Sequence, residues 1–384
     1  MSRARIDIPS EAEERNLQNE PESEENQKFP NREAPEIQSF ICPNCGGTMS
    51  FDINSQQFKC SSCGGEKKIA NADRKIKEYD FREYHQRESR STSFEGGSSF
   101  TCQGCGGEVI PDTYTTATVC PMCGSSQVVS SKQTAGIPPE GIIPFKIDQY
   151  DAQEKFRLWI KSRWFAPSSL KRSYQEGCLK GMYMPFWTYD AQAAAHYWGR
   201  GGNNYTVRDS EGNTETRTTW YSVSGTVYNF FDDVTICASK QHEYNAHIRN
   251  ILPFSTTNKT LPYDPSYLSG FSAEHYSIKA DAGFEKAKET MESNLKDMAK
   301  QEILRTYDEA VINSIQTQYY DVMYKHLLLP IWKAVFMFNN KHYEYIINGE
   351  TGAVSGDRPY SPWKIGAAIL AAIAVIALLY YFKS

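Results

Sequence analysis

Cys42-Pro-Asn-Cys45-Gly opens the stretch that determines the fold, and three similar motifs follow it: Cys60-Ser-Ser-Cys63-Gly, Cys102-Gln-Gly-Cys105-Gly and Cys120-Pro-Met-Cys123-Gly. Fourteen residues separate the two pairs of each set, and the second set repeats the first at an offset of sixty positions. A CxxC turn points two thiolates at one ion, and the glycine after it lets the next amide turn toward a sulfur. The pattern predicts two tandem zinc ribbons, whose ligands are Cys42, Cys45, Cys60, Cys63, Cys102, Cys105, Cys120 and Cys123.

Both predicted sites are structural. Four thiolates fill the coordination sphere of zinc and leave no open position for water or substrate, so the metal stabilises folding. A ribbon of about thirty residues buries too little apolar surface to fold alone, and the free energy of zinc binding is then also folding free energy. We expect two structural zinc ions, no catalytic residues and no enzymatic activity. A redox role for the CxxC pairs is the alternative.

The charge of the chain argues against nucleic acid as a partner. The formal net charge of the 384 residues is -5, and two filled Zn(Cys)4 sites would lower it to about -9. Residues 100 to 130, which contain the second cysteine set, include no Lys or Arg, whereas phosphate recognition needs a cationic surface. A ribbon that binds nucleic acid or the ribosome remains the alternative.

Composition divides the chain into segments. Met1 to Pro9 is polar and basic and lacks the apolar core of a signal peptide, so we expect a reducing cytosol around the cysteines. The predicted segments are a disordered acidic arm at 1–37, ribbon 1 at 38–70, a charged connector at 71–99, ribbon 2 at 100–130, an α+β domain at 131–360 and a membrane anchor at 361–384.

The aromatic-rich α+β domain contains a repeated pattern. A short strand at Ile143–Ile147 and a helix at Tyr150–Trp164 precede Met182-Tyr-Met-Pro-Phe-Trp-Thr188, and a long helix from Ala282 to about Tyr320 precedes Leu327-Leu-Leu-Pro-Ile-Trp-Lys333. The matching strand entries predict an internal duplication of a strand-helix unit. Coincidence in an aromatic-rich chain is the alternative.

A membrane span is predicted at the C-terminal end. Ile365 to Phe382 is a run of eighteen residues without a charge, about 27 Å long as a helix. Tyr360 and Trp363 at one end, and Tyr380 and Tyr381 at the other, are typical of membrane interfaces. The alternative is a buried core helix. With Arg358 and Lys364 on the cytosolic side, we expect a single-pass, tail-anchored protein of the cell membrane with the bulk of the chain in the cytoplasm.

Motifs for catalysis are weak. The histidines of His242-Glu-Tyr-Asn-Ala-His247 are five residues apart and diverge by roughly 140° on a helix, unlike those of a metalloprotease. The sequence has no GxxxxGK[ST] loop of a P-loop motor and no evident small-molecule substrate site. An unrecognised enzyme around His196, Asp232 and Asp233 is the alternative, although the two aspartates at a strand end are expected to be solvated.

The paired ribbons resemble a bacterial family when they are taken together with Ile143–Ile147, Arg163-Trp-Phe-Ala-Pro167, Gly181-Met-Tyr-Met-Pro-Phe-Trp187 and Ile347-Asn-Gly-Glu-Thr-Gly352. The family comprises zinc-ribbon membrane proteins of Gram-positive bacteria, often labelled primosomal helicase-like or TFIIB-type zinc-ribbon proteins. The resemblance implies a scaffold in the envelope-stress response that brings phage-shock-type and flotillin-like protein partners to the membrane.

Overall fold

A mixed sheet built around two very long strands, Lys180–Arg208 and Glu309–Phe338, forms the centre of the fold. The computed structural model describes residues 37–38, 40–69, 75–90, 100–101, 108–109, 115–119, 126–129, 136–169, 179–208, 210, 212–242, 245–339 and 341–383. The predicted acidic arm and most of the predicted second ribbon therefore lie outside the described residues.

The described residues form seventeen strands and six α-helices. The strands are β1 (Ile37–Gln38), β2 (Met49–Asp52), β3 (Gln57–Cys60), β4 (Glu66–Lys67), β5 (Tyr79–Asp80), β6 (Phe100–Thr101), β7 (Glu108–Val109), β8 (Thr115–Val119), β9 (Ser126–Val129), β10 (Gly141–Ile142), β11 (Lys180–Arg208), β12 (Thr214–Cys237), β13 (Leu261–Pro262), β14 (Ser272–Glu274), β15 (Glu309–Phe338), β16 (Lys341–Asn348) and β17 (Val354–Gly356). The helices are α1 (Tyr84–Arg90), α2 (Gln149–Ser162), α3 (Ala246–Asn250), α4 (Thr256–Lys259), α5 (Ala280–Leu304) and α6 (Pro362–Lys383).

The pairing of β11 with β15 organises the sheet. The two strands run antiparallel from the pair Lys180↔Lys333 to the pair Gly202↔Glu309, and β12 and β16 pair antiparallel with β11 and β15, respectively. From Ala191 to Gly201 of β11 buried and more exposed residues alternate, as the two-residue period of a strand with one covered face requires, whereas Tyr183 to Ala191 is buried without a break. The mixed α and β architecture that the sequence predicts is therefore present.

Helix α5 packs on one face of this sheet. Its buried positions recur every three or four residues and include Phe284, Ala287, Met291 and Leu295, which is the period of one helix face. They form one hydrophobic cluster with alanines of β11, among them Ala193. Small side chains on the strand allow the helix to approach the sheet closely.

The sheet and the helices packed on it contain two strand-helix-strand-strand units with matching contacts. The first unit is β10-α2-β11-β12, and the second is β14-α5-β15-β16. The indole of Trp187 donates a 2.8 Å hydrogen bond to the carbonyl of Ile278, just before α5, and the indole of Trp332 donates a 2.8 Å hydrogen bond to the carbonyl of Ile147, just before α2. The tryptophan of each long strand thus fixes the helix entry of the other unit.

Backbone hydrogen bonds also match between the two units. The amides of Lys146 and Ile147 donate to the carbonyl of Gly349, and the amides of Ser277 and Ile278 donate to that of Ala238, all at 2.9 Å. Each short first strand also pairs in parallel with the long strand of the other unit, β10 with β15 and β14 with β11. Because each unit supplies strands to the other, the two share one sheet.

Two element boundaries differ from the prediction at the first unit. The short strand is Gly141–Ile142 rather than Ile143–Ile147. Pro144 has no N–H to donate to a ladder, and the amides of Lys146 and Ile147 donate to the carbonyl of Gly349 instead. Helix α2 ends at Ser162, so Trp164 lies in the loop after it, exposed rather than on the buried helix face.

The predicted helix from Ala282 to about Tyr320 is too long. Helix α5 ends at Leu304. The amide of Asp308 then donates a 2.9 Å hydrogen bond to the carbonyl of Gly202, where pairing with β11 begins. The residues that follow belong to β15, where they pair with β11. This segment is rich in β-branched and aromatic side chains, which favour a strand when a partner strand is present.

Candidate metal centre and membrane helix

The first cysteine set folds into two similar turns. The amide of Cys42 donates to the carbonyl of Gly47 at 2.7 Å, and the amide of Gly46 donates back to the carbonyl of Cys42 at 2.9 Å. The same two hydrogen bonds recur at Cys60. Gly46 and Gly64, the glycines directly after each pair, have φ angles of +72° and +70°, a conformation that favours glycine. The glycine in each motif thus closes the turn.

The four thiols of this set converge. Their sulfurs all lie within 4.8 Å of one another, with 3.6 Å between Cys42 and Cys63 and 3.5 Å between Cys45 and Cys60. Tetrahedral zinc with Zn–S bonds of about 2.3 Å requires sulfurs about 3.8 Å apart. The cluster could therefore bind a metal ion such as zinc, with four protein ligands and no open position.

Backbone amides favour the thiolate form at one ligand. The amides of Cys63 and Ser62 donate to the sulfur of Cys60 and lower its pKa to about 6. Hydrogen bonds from amides to a sulfur stabilise its negative charge, which is the form that ligates a metal. At Cys45 the amide of Gly47 lowers the pKa, but hydrogen bonds with the thiols of Cys63 and Cys60 raise it, and the pKa of Cys45 is raised overall.

The second cysteine set, Cys102, Cys105, Cys120 and Cys123, lies outside the described residues. The flanking strands are described, however, and they repeat the register of the first set at the same offset of sixty. The bridge Ile41↔Thr48 has its counterpart in Thr101↔Glu108, and Lys59↔Glu66 has its counterpart in Val119↔Ser126. The second ribbon and its zinc remain a prediction, supported by these flanking pairs.

The first metal module is fixed to the sheet. Phe51 of β2 donates from its amide to the carbonyl of Ser269 at 3.1 Å, and the hydroxyl of Ser269 donates back to the carbonyl of Met49 at 3.0 Å. The ring of Phe51 contacts that of Tyr267 with centroids 5.3 Å apart. Gln56, in the hairpin turn, donates to the carbonyl of Phe145 at 2.8 Å. The module is therefore part of the same packed core as the sheet.

Helix α6 is long and apolar enough to cross a membrane. Its 22 residues extend about 33 Å, which matches the hydrocarbon thickness of a bilayer. The apolar stretch of this helix has no buried residue. Packing against the described part of the chain therefore does not cover it. The alternative of a buried core helix does not fit this exposure.

The start of α6 is attached to the loop after α2. The ammonium of Lys364 donates to the carbonyls of Trp164 and Ala166 at 3.2 and 2.8 Å. The amide of Ser361 donates to the carbonyl of Phe165 at 2.8 Å. Three hydrogen bonds therefore hold the first turn of the helix against one loop of the mixed domain.

A buried charge cluster lies where β11, β12 and β15 are irregular. The ammonium of Lys325 is 2.6 Å from carboxylate oxygens of both Asp233 and Glu78. Asp190 accepts from the amide of Asp233 at 2.7 Å, and burial raises the pKa of Asp190 to about 7. The expectation that Asp233 is solvated was wrong, because its side chain is 3% exposed and pairs with Lys325.

The catalytic residues of the alternative hypothesis are not together. His196 bonds to Thr226 at 2.9 Å and lies six residues along β11 from Asp190, which is roughly 20 Å in a strand. It lines an open groove of about 850 Å³ on the exposed sheet face with Gln316, Gln318 and neighbouring residues. The groove and the buried charge cluster are thus separate places in the fold.

The histidines of the discarded metalloprotease motif have different neighbours. His242 is buried, with its Nε2 atom 3.8 Å from Glu274, whereas His247 contacts Asp357 at 3.2 Å and Ser355 at 2.9 Å. They do not form a joint metal site among the described residues.

Similarity to a known protein extends over most of the chain. The sequence is 25% identical over 332 residues to "Uncharacterized protein YdjG" of Bacillus subtilis (strain 168). The alignment covers 86% of this chain and 93% of that protein. No protein-family model and no solved structure match. The similarity therefore extends over most of both chains, and the match by itself assigns no activity.

Proposed function

We propose that the protein is a membrane-anchored zinc-ribbon adaptor, which presents protein-binding surfaces of its ribbons and mixed domain on the cytosolic side of the membrane. The observation that carries this proposal is the exposed apolar helix α6, attached by Lys364 and Ser361 to the loop after α2. An exposed apolar helix of this length is stable in a bilayer and costly in water.

The metal chemistry supports an adaptor rather than a catalyst. Four thiolates at the first site would hold zinc as a closed structural centre, and the flanking register supports a second such site. We infer two structural zinc ions per chain. The ions would stiffen hairpins whose outer surfaces are then available to partners.

The matching hydrogen bonds of the two strand-helix-strand-strand units support an internal duplication. We infer that the mixed domain arose from two copies of one unit that completed each other's sheet. By the resemblance stated above, the partners proposed for this scaffold are phage-shock-type and flotillin-like proteins of an envelope-stress system.

Fractionation after an anchor deletion tests the proposal. Removing residues 361–384 should move the protein from carbonate-washed membranes to the soluble fraction, because the apolar span is gone. The matched control removes 24 residues from the acidic arm, 1–24, and should leave the protein in the membrane. Persistence of the anchor-deleted protein in washed membranes would refute a single apolar tether.

Crosslinking tests the adaptor role separately. Membranes from crosslinked cells should yield the full-length protein bound to at least one defined protein partner, and the sample carrying the anchor deletion should yield less of it. A full-length protein recovered alone after efficient crosslinking would contradict the adaptor function while leaving the anchor intact.

A further inference from the structure

Large aromatic side chains are exposed around the start of α6. Trp164 is 75% exposed, Trp363 is 86% exposed and Tyr360 is 56% exposed. Scattered exposed apolar residues are normal, but aromatic side chains grouped on two joined segments mark an interaction surface. We name Trp164, Phe165, Tyr360 and Trp363 the aromatic collar.

The collar is continuous with the proposed membrane span. Trp164 and Trp363 belong to segments that are joined by the hydrogen bonds of Lys364 and Ser361 to the loop. Ala166, at the end of that loop, is fully buried in the core of the mixed domain. The loop therefore cannot swing away from the first turn of α6 without losing these contacts, and the two tryptophans stay near one another.

Three cations lie beside the collar, and Asp357, directly before Arg358, is the neighbouring anion and pairs with His247. The guanidinium of Arg163 lies 4.9 Å from the ring centre of Trp159, and that of Arg358 lies 5.4 Å from the ring centre of Tyr360. Lys364 follows Trp363 directly. Indole and phenol rings next to Arg and Lys are the side chains that favour the headgroup level of a bilayer. Lipid phosphates would accept from these cations.

We infer that the aromatic collar is a second membrane contact, in which the loop carrying Trp164 and Phe165 inserts at the headgroup level beside the span. This inference rests on the proposed anchoring by α6. A span alone lets the attached domain pivot about its first turn. A loop contact beside it holds the domain in one orientation to the membrane plane.

Brominated-lipid quenching tests the collar with the full-length protein. The protein is reconstituted in vesicles of phosphatidylcholine and phosphatidylglycerol whose acyl chains carry bromine near the headgroups, because bromine quenches tryptophan only at short range. Of the seven tryptophans, we expect Trp164 and Trp363 to be quenched. Trp164→Phe should remove about half of the quenched emission, and the matched control Trp198→Phe, in the long sheet, should remove none.

A rescue variant separates contact from folding. Trp164→Phe combined with Phe165→Trp moves the reporter by one position within the same loop, and we expect it to restore part of the quenched emission. Failure of this rescue together with full quenching in Trp164→Phe would overturn the collar.

The anchor and the collar fail differently. If Trp363→Phe lowers the quenching and Trp164→Phe does not, the span inserts and the collar inference is wrong. If the protein does not float with the vesicles and no variant changes the quenching, the proposed anchoring itself is wrong. If the quenching of Trp164 by brominated lipid falls as the ratio of protein to lipid rises, a second copy of the chain covers the loop. In that case the collar is not a lipid contact.

Discussion

Replacing Lys325 by methionine should destabilise the protein strongly, because it leaves a carboxylate buried without its cation. Lys325 is 6% exposed, and its ammonium lies 2.6 Å from Asp233, whose side chain is 3% exposed. Removing one partner of such a pair costs about 3–5 kcal/mol. Methionine keeps much of the length and apolar character of the lysine stem, so the loss is mainly electrostatic.

The same strand provides a matched control. Lys333 of β15 pairs with Glu344 at 3.5 Å, but the two side chains are 25% and 28% exposed. An ion pair so open to water contributes about 0–1 kcal/mol. Lys333→Met should therefore lower the free energy of unfolding by a small fraction of the loss in Lys325→Met, although both remove one lysine from one strand.

A second substitution should recover stability. Asp233 has a φ angle of +51°, which asparagine tolerates, so Asp233→Asn removes the unpaired charge without backbone strain. In the Lys325→Met background we expect it to restore about 1–3 kcal/mol of the loss. The measurement is urea unfolding of detergent-solubilised protein, followed by tryptophan emission. Equal midpoints for Lys325→Met and Lys333→Met would refute the reasoning.

Four further substitutions probe the cysteine cluster, the paired units and the buried carboxyl. Cys60→Ser should lower the zinc content measured by elemental analysis from two ions to one per chain, because it removes one of four ligands. Trp187→Phe and Trp332→Phe should lower the midpoint of thermal unfolding by similar amounts, since each leaves one carbonyl unpaired at about 1–3 kcal/mol, and clearly unequal losses would contradict the equivalence. The pKa of Asp190 is raised from 3.8 to about 7 in the folded state, so its contribution to stability is present below pH 4 and is lost as pH rises through 7. Asp190→Asn should flatten the fall in melting temperature over that range, and an unchanged profile would exclude this carboxyl as its cause.

Local geometry explains why the convergence of the first four cysteines could be predicted from sequence. The CxxC turn and the glycine after it act over five residues, so the spacing alone predicts that Cys42 and Cys63, with their pair partners, meet at one end of a hairpin. Met49 and Phe51 alternate with polar residues, a pattern that indicates a strand, and β2 and β3 have that alternation of buried side chains. No distant part of the chain is needed for this motif to form.

The long helix was mispredicted because bulges in a strand can imitate helical spacing. Ile312, Ile315 and Tyr319 are three and four residues apart, as on a helix face. In β15 all three pack toward the α5 side of the sheet, and a register shift opposite Trp198 and Gly199 supplies the extra residue between the first two. Periodicity alone could not distinguish the two structures, because the partner β11 lies more than a hundred residues earlier.

The buried ion pair was missed for a related reason. The adjacent Asp232 and Asp233 indicate a solvated strand end. The cation that pairs with Asp233 is Lys325, almost a hundred residues later in the chain. Only the register of β11 with β12 and β15 brings these positions together. Burial of a charge is a property of the assembled sheet, and a local window of sequence does not contain it.

The cysteine hairpin and the loop that contacts the start of α6 belong to the same hydrophobic cluster of the mixed domain. Phe51 of the cysteine hairpin and Ala166 of the loop that holds Lys364 both belong to it, together with Trp332. Zinc bound by the four thiols would order the hairpin and would therefore also stabilise the packing that holds the loop. The span itself satisfies its backbone hydrogen bonds internally, so it does not depend on this cluster. We therefore expect zinc to influence the orientation of the domain at the membrane rather than its attachment there.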